Sequence, residues 1–167
     1  AAIRDPDPVL FLEHKFLYRR IREDVPEGDY TTPIGEAKIA RAGDDVSILT
    51  YGAMVHSSLE AAEIVAAEGV SVEVLDLRTL LPMDRSRIIE TVKKTGRALI
   101  VHEATRTGGP GGEIAALIAE HAFLHLDAPI VRVAPPDTPV PYSPPLEEFF
   151  LPNATKIAEA IRALALY

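Results

Sequence analysis

Four continuous apolar runs set the terms for this chain. They are VSILTYG (46–52), SVEVLDLRT (71–79), RALIVHE (97–103) and PIVRVAP (129–135). Each is too short for a buried helix and lacks the polar alternation of a half-exposed strand, so each predicts a strand covered on both faces. Helical stretches separate them. In the first, SSLEAAEIVAAEG, Ser57 and Glu60 form a capping-box pattern and Gly69 offers a stop. In the second, Asp84 reads as the N-cap, Gly96 as the C-terminal stop, and Lys93 and Lys94 lie where the helix dipole favours cations. A third helix is expected over 112–126. After a proline-rich stretch (135–152), Asn153 opens a fourth, with Ile157, Ile161 and Leu164 on one face. Strands and helices that alternate through short connections require right-handed crossovers. The fold expected is α/β: a three-layer α/β/α sandwich with a mainly parallel sheet.

The start of the chain reads differently. VLFLEH (9–14) has the look of a buried strand, and residues 21–35 carry the proline and glycine punctuation of a linker. The expected division is 1–20 as the tail of a preceding domain, 21–35 as linker and 36–167 as the main domain. The chain opens without Met, and a processed or truncated start is the expectation.

Composition narrows the function. With 167 residues, 47% of them apolar, the chain suits one globular domain. There is no Cys, so no disulfide and no thiolate metal site. No apolar run approaches the roughly 18 residues of a bilayer span, and AAIRDPDP lacks the pattern of a signal peptide. The net charge of −8, with no basic cluster beyond YRRIR (18–22), argues against nucleic acid.

In a parallel sheet ligands meet the carboxyl ends of the strands. Those ends bring Tyr51 and Gly52, Arg78 and Thr79, His102 and Glu103, and Pro136 and Asp137 to one edge. The densest segment there is HEATRTGGPGGE (102–113). It is not a P-loop, because no Lys-Ser/Thr follows Gly112. It supplies half a dinucleotide fingerprint, with Ile114 where the third glycine belongs. Its glycines favour a tight turn and close packing, and the N–H groups opening the next helix leave an anion site open. His102 and Glu103 are adjacent and point apart, so they do not pair. His121 and His125 are four residues apart without a third ligand. The carboxylates Asp76, Asp84 and Glu103 stand alone, and no metal site or reaction class follows from motifs.

The segments PVLFLEHKFLYR, PIGEAKIARAGDDVSILTYGAMVHSSLEAA, VEVLDLRTLLPMD, VKKTGRALIVHEATRTGGPGGEIAALIAE and LDAPIVRVAPPDTPVPYSP, in that order, resemble the C-terminal half of a known family. It is the beta subunit of the thiamine-diphosphate-dependent decarboxylase component of 2-oxo acid dehydrogenase complexes. DLRTLLPMD followed by KTGR and HEA is specific to it within the transketolase group. The resemblance implies a transketolase C-terminal domain and a parent enzyme that decarboxylates a 2-oxo acid and acylates a lipoyl group. It implies that thiamine diphosphate and magnesium are held elsewhere in that parent, and that this stretch contains no catalytic or cofactor-binding residue. It implies as partners an alpha subunit and a second beta subunit in an α2β2 heterotetramer, and the peripheral subunit-binding domain of the dihydrolipoyl acyltransferase. Asp127 and the terminal carboxylate of Tyr167 are the implied contacts for that domain; Asp127 equally suits a turn, and Tyr167 a frayed end. Arg78, His102, Glu103 and Thr107 become candidates for a subunit interface. HEATRTGGPGGEI and DTPVPYSPPLEEFFLPN lean toward the branched-chain type, and YGAMVHSSLEAA toward the bacterial pyruvate type. A cytoplasmic location is expected, with the mitochondrial matrix as the alternative. The competing readings are a stand-alone, flavodoxin-like module for an anion or nucleotide, and the C-terminal domain of another transketolase-group enzyme.

Overall fold

The computed structural model describes residues 1–167. Five strands form one sheet: β1 (Lys38–Arg41), β2 (Val46–Thr50), β3 (Val72–Asp76), β4 (Ala98–Val101) and β5 (Val131–Val133). Their spatial order is β1-β3-β2-β4-β5, with β1 antiparallel to β3 and every other pair parallel. The helices are α1 (Met54–Ala66), α2 (Arg85–Thr95), α3 (Pro110–His121), α4 (Pro144–Phe150) and α5 (Ala154–Ala165).

The three layers follow from the two-residue period of the strands. Val46 and Ile48, Val72 and Val74, and Leu99 and Val101 pack on one side, against Ala61, Ala62 and Val65 of α1 and Ile157, Ile161 and Leu164 of α5. Leu49, Leu75 and Ile100 point to the other, against Ile88 and Val92 of α2 and Ile114 and Ile118 of α3. Covering each such aliphatic side chain contributes roughly 1.5–3 kcal/mol. No helix is long and apolar enough to cross a membrane.

Helix ends were legible where a side chain caps them. Asp84 accepts the N–H of Arg87 at 3.0 Å through one carboxylate oxygen and that of Ala37 at 2.9 Å through the other. Gly96 ends α2 in the left-handed conformation, at φ 68°. Asn153 accepts the N–H of Lys156 at 3.0 Å and opens α5.

Four expectations need correction. Residues 9–14 form no strand, because the run finds no neighbouring strand to pair with in this chain; Leu10, Phe11 and Leu12 are exposed instead. Ser57 does not start α1. The helix begins at Met54, so the Ser57–Glu60 pattern falls inside it. The third helix starts at Pro110 rather than 112 and stops at His121, after which Phe123–His125 turn as a short 3-10 helix; His125 therefore does not share a helix face with His121. The proline-rich 135–152 stretch contains α4, whose first residues are Pro144 and Pro145, tolerated there because the opening N–H groups of a helix have no partner in any case. Strand β1 is a short edge, KIAR, half-exposed and charged at both ends, and carries no apolar run to announce it.

Candidate functional sites at the two edges of the sheet

At the carboxyl edge, β4 delivers His102 and β2 delivers Tyr51. The His102 N–H extends the ladder to the carbonyl of Val133 at 3.3 Å. Its ring is fully buried and lies parallel to that of Tyr51, with centroids 6.5 Å apart. Nδ1 is 2.9 Å from the carbonyl oxygen of Ala104, which can only accept, so Nδ1 carries the proton. Nε2 then presents its lone pair, buried and without a partner. It faces Gly111 in the first turn of α3. A Cβ built on Gly111 would stand 2.2 Å from Nε2, and one on Gly109 would meet the Thr105 carbonyl at 2.3 Å and the imidazole at 3.1 Å. The glycines of the loop admit this ring. Burial holds the His102 pKa below its usual range, Arg132 and Arg106 push it the same way, and the Ala104 carbonyl opposes them. Burial and the Glu103 carboxylate push the Tyr51 phenol up.

Most of the remaining groups of this edge are bound into pairs. Asp137 accepts the N–H of Thr107 at 2.8 Å and its hydroxyl at 2.6 Å, which holds the carboxyl below the usual range. Arg132 donates to the Arg106 carbonyl at 3.2 Å, and Arg106 returns a bond to the Arg132 carbonyl. Glu103 is taken by His14 at 2.9 Å, which fastens the N-terminal segment to the end of β4. Arg78 stands apart, exposed, with φ 56° and its N–H held at 3.0 Å by Asp76. The structure thus brings His102 and Tyr51 together, and Thr107 and Asp137, but leaves Arg78 outside both. The strand ends place Tyr51 and Asp137 at this edge, but no local pattern signals the Tyr51 stack or the Asp137 latch. No nucleophile meets a base in this arrangement: of the two buried ring nitrogens without a partner, His102 Nε2 faces a glycine and His14 Nδ1 belongs to the ring that holds Glu103. No group of three His, Asp or Glu side chains has metal-binding geometry.

The opposite, amino edge carries Asp127. Its N–H bonds to the Gly96 carbonyl at 2.8 Å, and its carboxylate leans over Gly96, where an added Cβ would meet Oδ2 at 2.2 Å. Asp127 is therefore a turn residue between α3 and β5, with its carboxylate exposed. Beside it Phe123, Leu124, Leu126, Ala128, Pro129 and Ile130 line an open apolar depression. Helix α5 runs back to this same edge: Arg162 near its end pairs with Glu68 at the end of α1, and Leu164 shares a core cluster with Ala128. Tyr167 follows, exposed, with its N–H on the Leu164 carbonyl at 3.2 Å. Asp127 and Tyr167 both belong to the amino edge.

Known proteins are similar in sequence to this chain along most of its length. The chain is 50% identical over 166 residues to the 2-oxoisovalerate dehydrogenase subunit beta of Bacillus subtilis, which is 99% of this chain and 51% of that protein. It is 50% identical over 162 residues to the pyruvate dehydrogenase E1 component subunit beta of the same organism, covering 97% and 50%. It is 52% identical over 161 residues to the beta subunit of acetoin:2,6-dichlorophenolindophenol oxidoreductase from Cupriavidus necator, covering 96% and 47%. The chain thus spans about half the length of the curated relatives it matches. Among solved structures, a split gene transketolase described as an inactive beta4 tetramer superimposes with a TM-score of 0.72 at 27% identity, over 86% of this chain and 46% of that one. Residues 35–157 match the family model for the transketolase C-terminal domain, and the chain belongs to that family.

Proposed function

We infer that this chain is the C-terminal portion of the beta subunit of a 2-oxo acid dehydrogenase decarboxylase component. The observation that carries this reading is identity near 50% along 95% or more of the chain to beta subunits of such enzymes. The parent is an oxidoreductase that decarboxylates a 2-oxo acid with thiamine diphosphate and magnesium and passes the acyl group to a lipoyl group. Its alpha subunit and a second beta subunit complete an α2β2 assembly. Bacterial relatives support a cytoplasmic location.

The division of the chain into 1–20, 21–35 and 36–167 belongs to this reading, with the first segment a part of the preceding domain. The exposed run at 10–12 supports it. The cofactor is assigned outside the chain, because the residues here do not suit it. The Cβ space of Gly111 is taken by His102 and that of Gly109 by the Thr105 carbonyl, and Glu113 places a carboxylate in the first turn of α3, where a diphosphate would need positive potential. The same features count against a stand-alone anion-binding module. Identities of 50% to branched-chain and pyruvate relatives alike do not separate the two substrates.

Within the parent, this domain serves assembly and docking. Asp127, Tyr167 and the apolar depression on the amino edge form the surface for the peripheral subunit-binding domain of the acyltransferase. Exposed Phe123 and Leu124 supply apolar area, and the carboxylates fix the register against basic side chains. Arg78, Glu103 and Thr107 belong to the other edge and to subunit contacts; His102, expected with them, is fully buried and supports that edge from within.

The test is reconstitution of the full-length beta subunit with an alpha subunit, assayed with 2-oxoisovalerate and with pyruvate. Decarboxylation that requires both subunits is the expected result. A beta subunit that turns over a sugar phosphate, or is active without the alpha subunit, would overturn the assignment.

A further inference from the structure

Lys156 joins the end of one helix to the start of the next. Its backbone N–H is capped by Asn153 at 3.0 Å, while its ammonium reaches back to the carbonyls of Glu148, Phe149 and Leu151, each at 2.7 Å. An ammonium has three N–H donors, and each is spent on a carbonyl that the end of α4 leaves without a helical partner.

Helix α4 has little else to hold it. It is seven residues long, too short to persist by itself, and Phe150 is its one buried side chain. Leu146 and Phe149 are exposed. Upstream, the segment is fastened by Asp137 on Thr107.

We propose that Lys156 is a charge-dependent pin for residues 135–150, and that acylation of its amine is a modification that releases α4 from the domain. In that step the deprotonated Nζ attacks the carbonyl of an acyl thioester. The C–N bond forms, the C–S bond breaks, the thiol leaves and the amine proton passes to solvent. The amide that results keeps one N–H and no charge, so it serves one carbonyl at most and leaves the other two unpaired. The acyl group also adds bulk where three carbonyls converge. Arginine, by contrast, keeps the charge and several donors.

The experiment is amide hydrogen exchange on the full chain in four forms: unmodified, Nε-acetyl-lysine incorporated at position 156, Lys156→Met and Lys156→Arg. The reporters are the α4 amides of Leu146, Glu147 and Leu151, bonded to the carbonyls of Ser143, Ser143 and Glu147. Exchange at these three should quicken about tenfold or more in the acetylated and Met forms, and by less in the Arg form, while β2 and β4 stay protected. Unchanged α4 exchange in the acetylated chain would overturn the proposal. So would loss of protection spread evenly through the core strands, because Lys156 would then support the whole domain rather than pin one segment.

Discussion

The imidazole of His102 lies 9° from parallel to the ring of Tyr51 and turns its unprotonated nitrogen toward Gly111. That relationship explains the glycine-rich loop. A buried ring between a strand end and a helix start needs a helix without a side chain at the point of contact. The loop is shaped by packing, and its chemistry is that of a spacer.

The contact predicts a specific pair of variants. Gly111→Ala drives a methyl group into Nε2 and should destabilise the chain by about 1–3 kcal/mol in chemical denaturation. In a His102→Ala background the same substitution should be neutral or stabilising, because alanine is the better helix former by up to about 1 kcal/mol. Equal penalties in both backgrounds would mean that the ring is not what the glycine admits.

The same histidine sets a pH dependence. Its folded pKa lies below its unfolded value, so the unfolded chain binds the proton more readily. The stability it contributes is present above the unfolded pKa, about 6.5, and is lost as pH falls below it. Between pH 7.5 and 5.5, denaturant midpoints should fall, and should fall less in His102→Gln. A slope unchanged by that substitution would assign the effect to other groups.

Asn153→Ala removes the N-cap of α5 and should cost about 0.5–2 kcal/mol. The loss should also appear as faster exchange at the Lys156 amide, whose partner is the Asn153 side chain. No change at that amide would show that the cap is not what holds it.

Much of the architecture was readable because the code for it is local. Strands β2 to β5 are apolar runs, and helix ends are announced locally, by the side chains of Asp84 and Asn153 and by the backbone freedom of Gly96. The misreadings share a cause: the deciding partner is remote in sequence. The 9–14 run has strand composition but no ladder to join. Strand β1 is a half-exposed edge, KIAR, with charges at both ends and pairing to β3 in antiparallel register. Helix α4 hides among prolines and depends on a lysine six positions beyond its end. At the sites, the edge positions of Tyr51, His102 and Asp137 followed from the strand ends, but the contacts between them depend on the approach of β2 to β4 and of the 104–109 loop to residue 137.

The amino edge is proposed as a docking surface, with Asp127 and Tyr167 as its charged contacts. A calorimetric titration of the folded chain with the peripheral subunit-binding domain of an acyltransferase, at low and high salt, tests it. The predicted result is tight binding that weakens with salt and falls about tenfold or more in Asp127→Ala and on deletion of Tyr167. Absence of binding by a chain whose fold is verified, or full affinity in both variants, would contradict it.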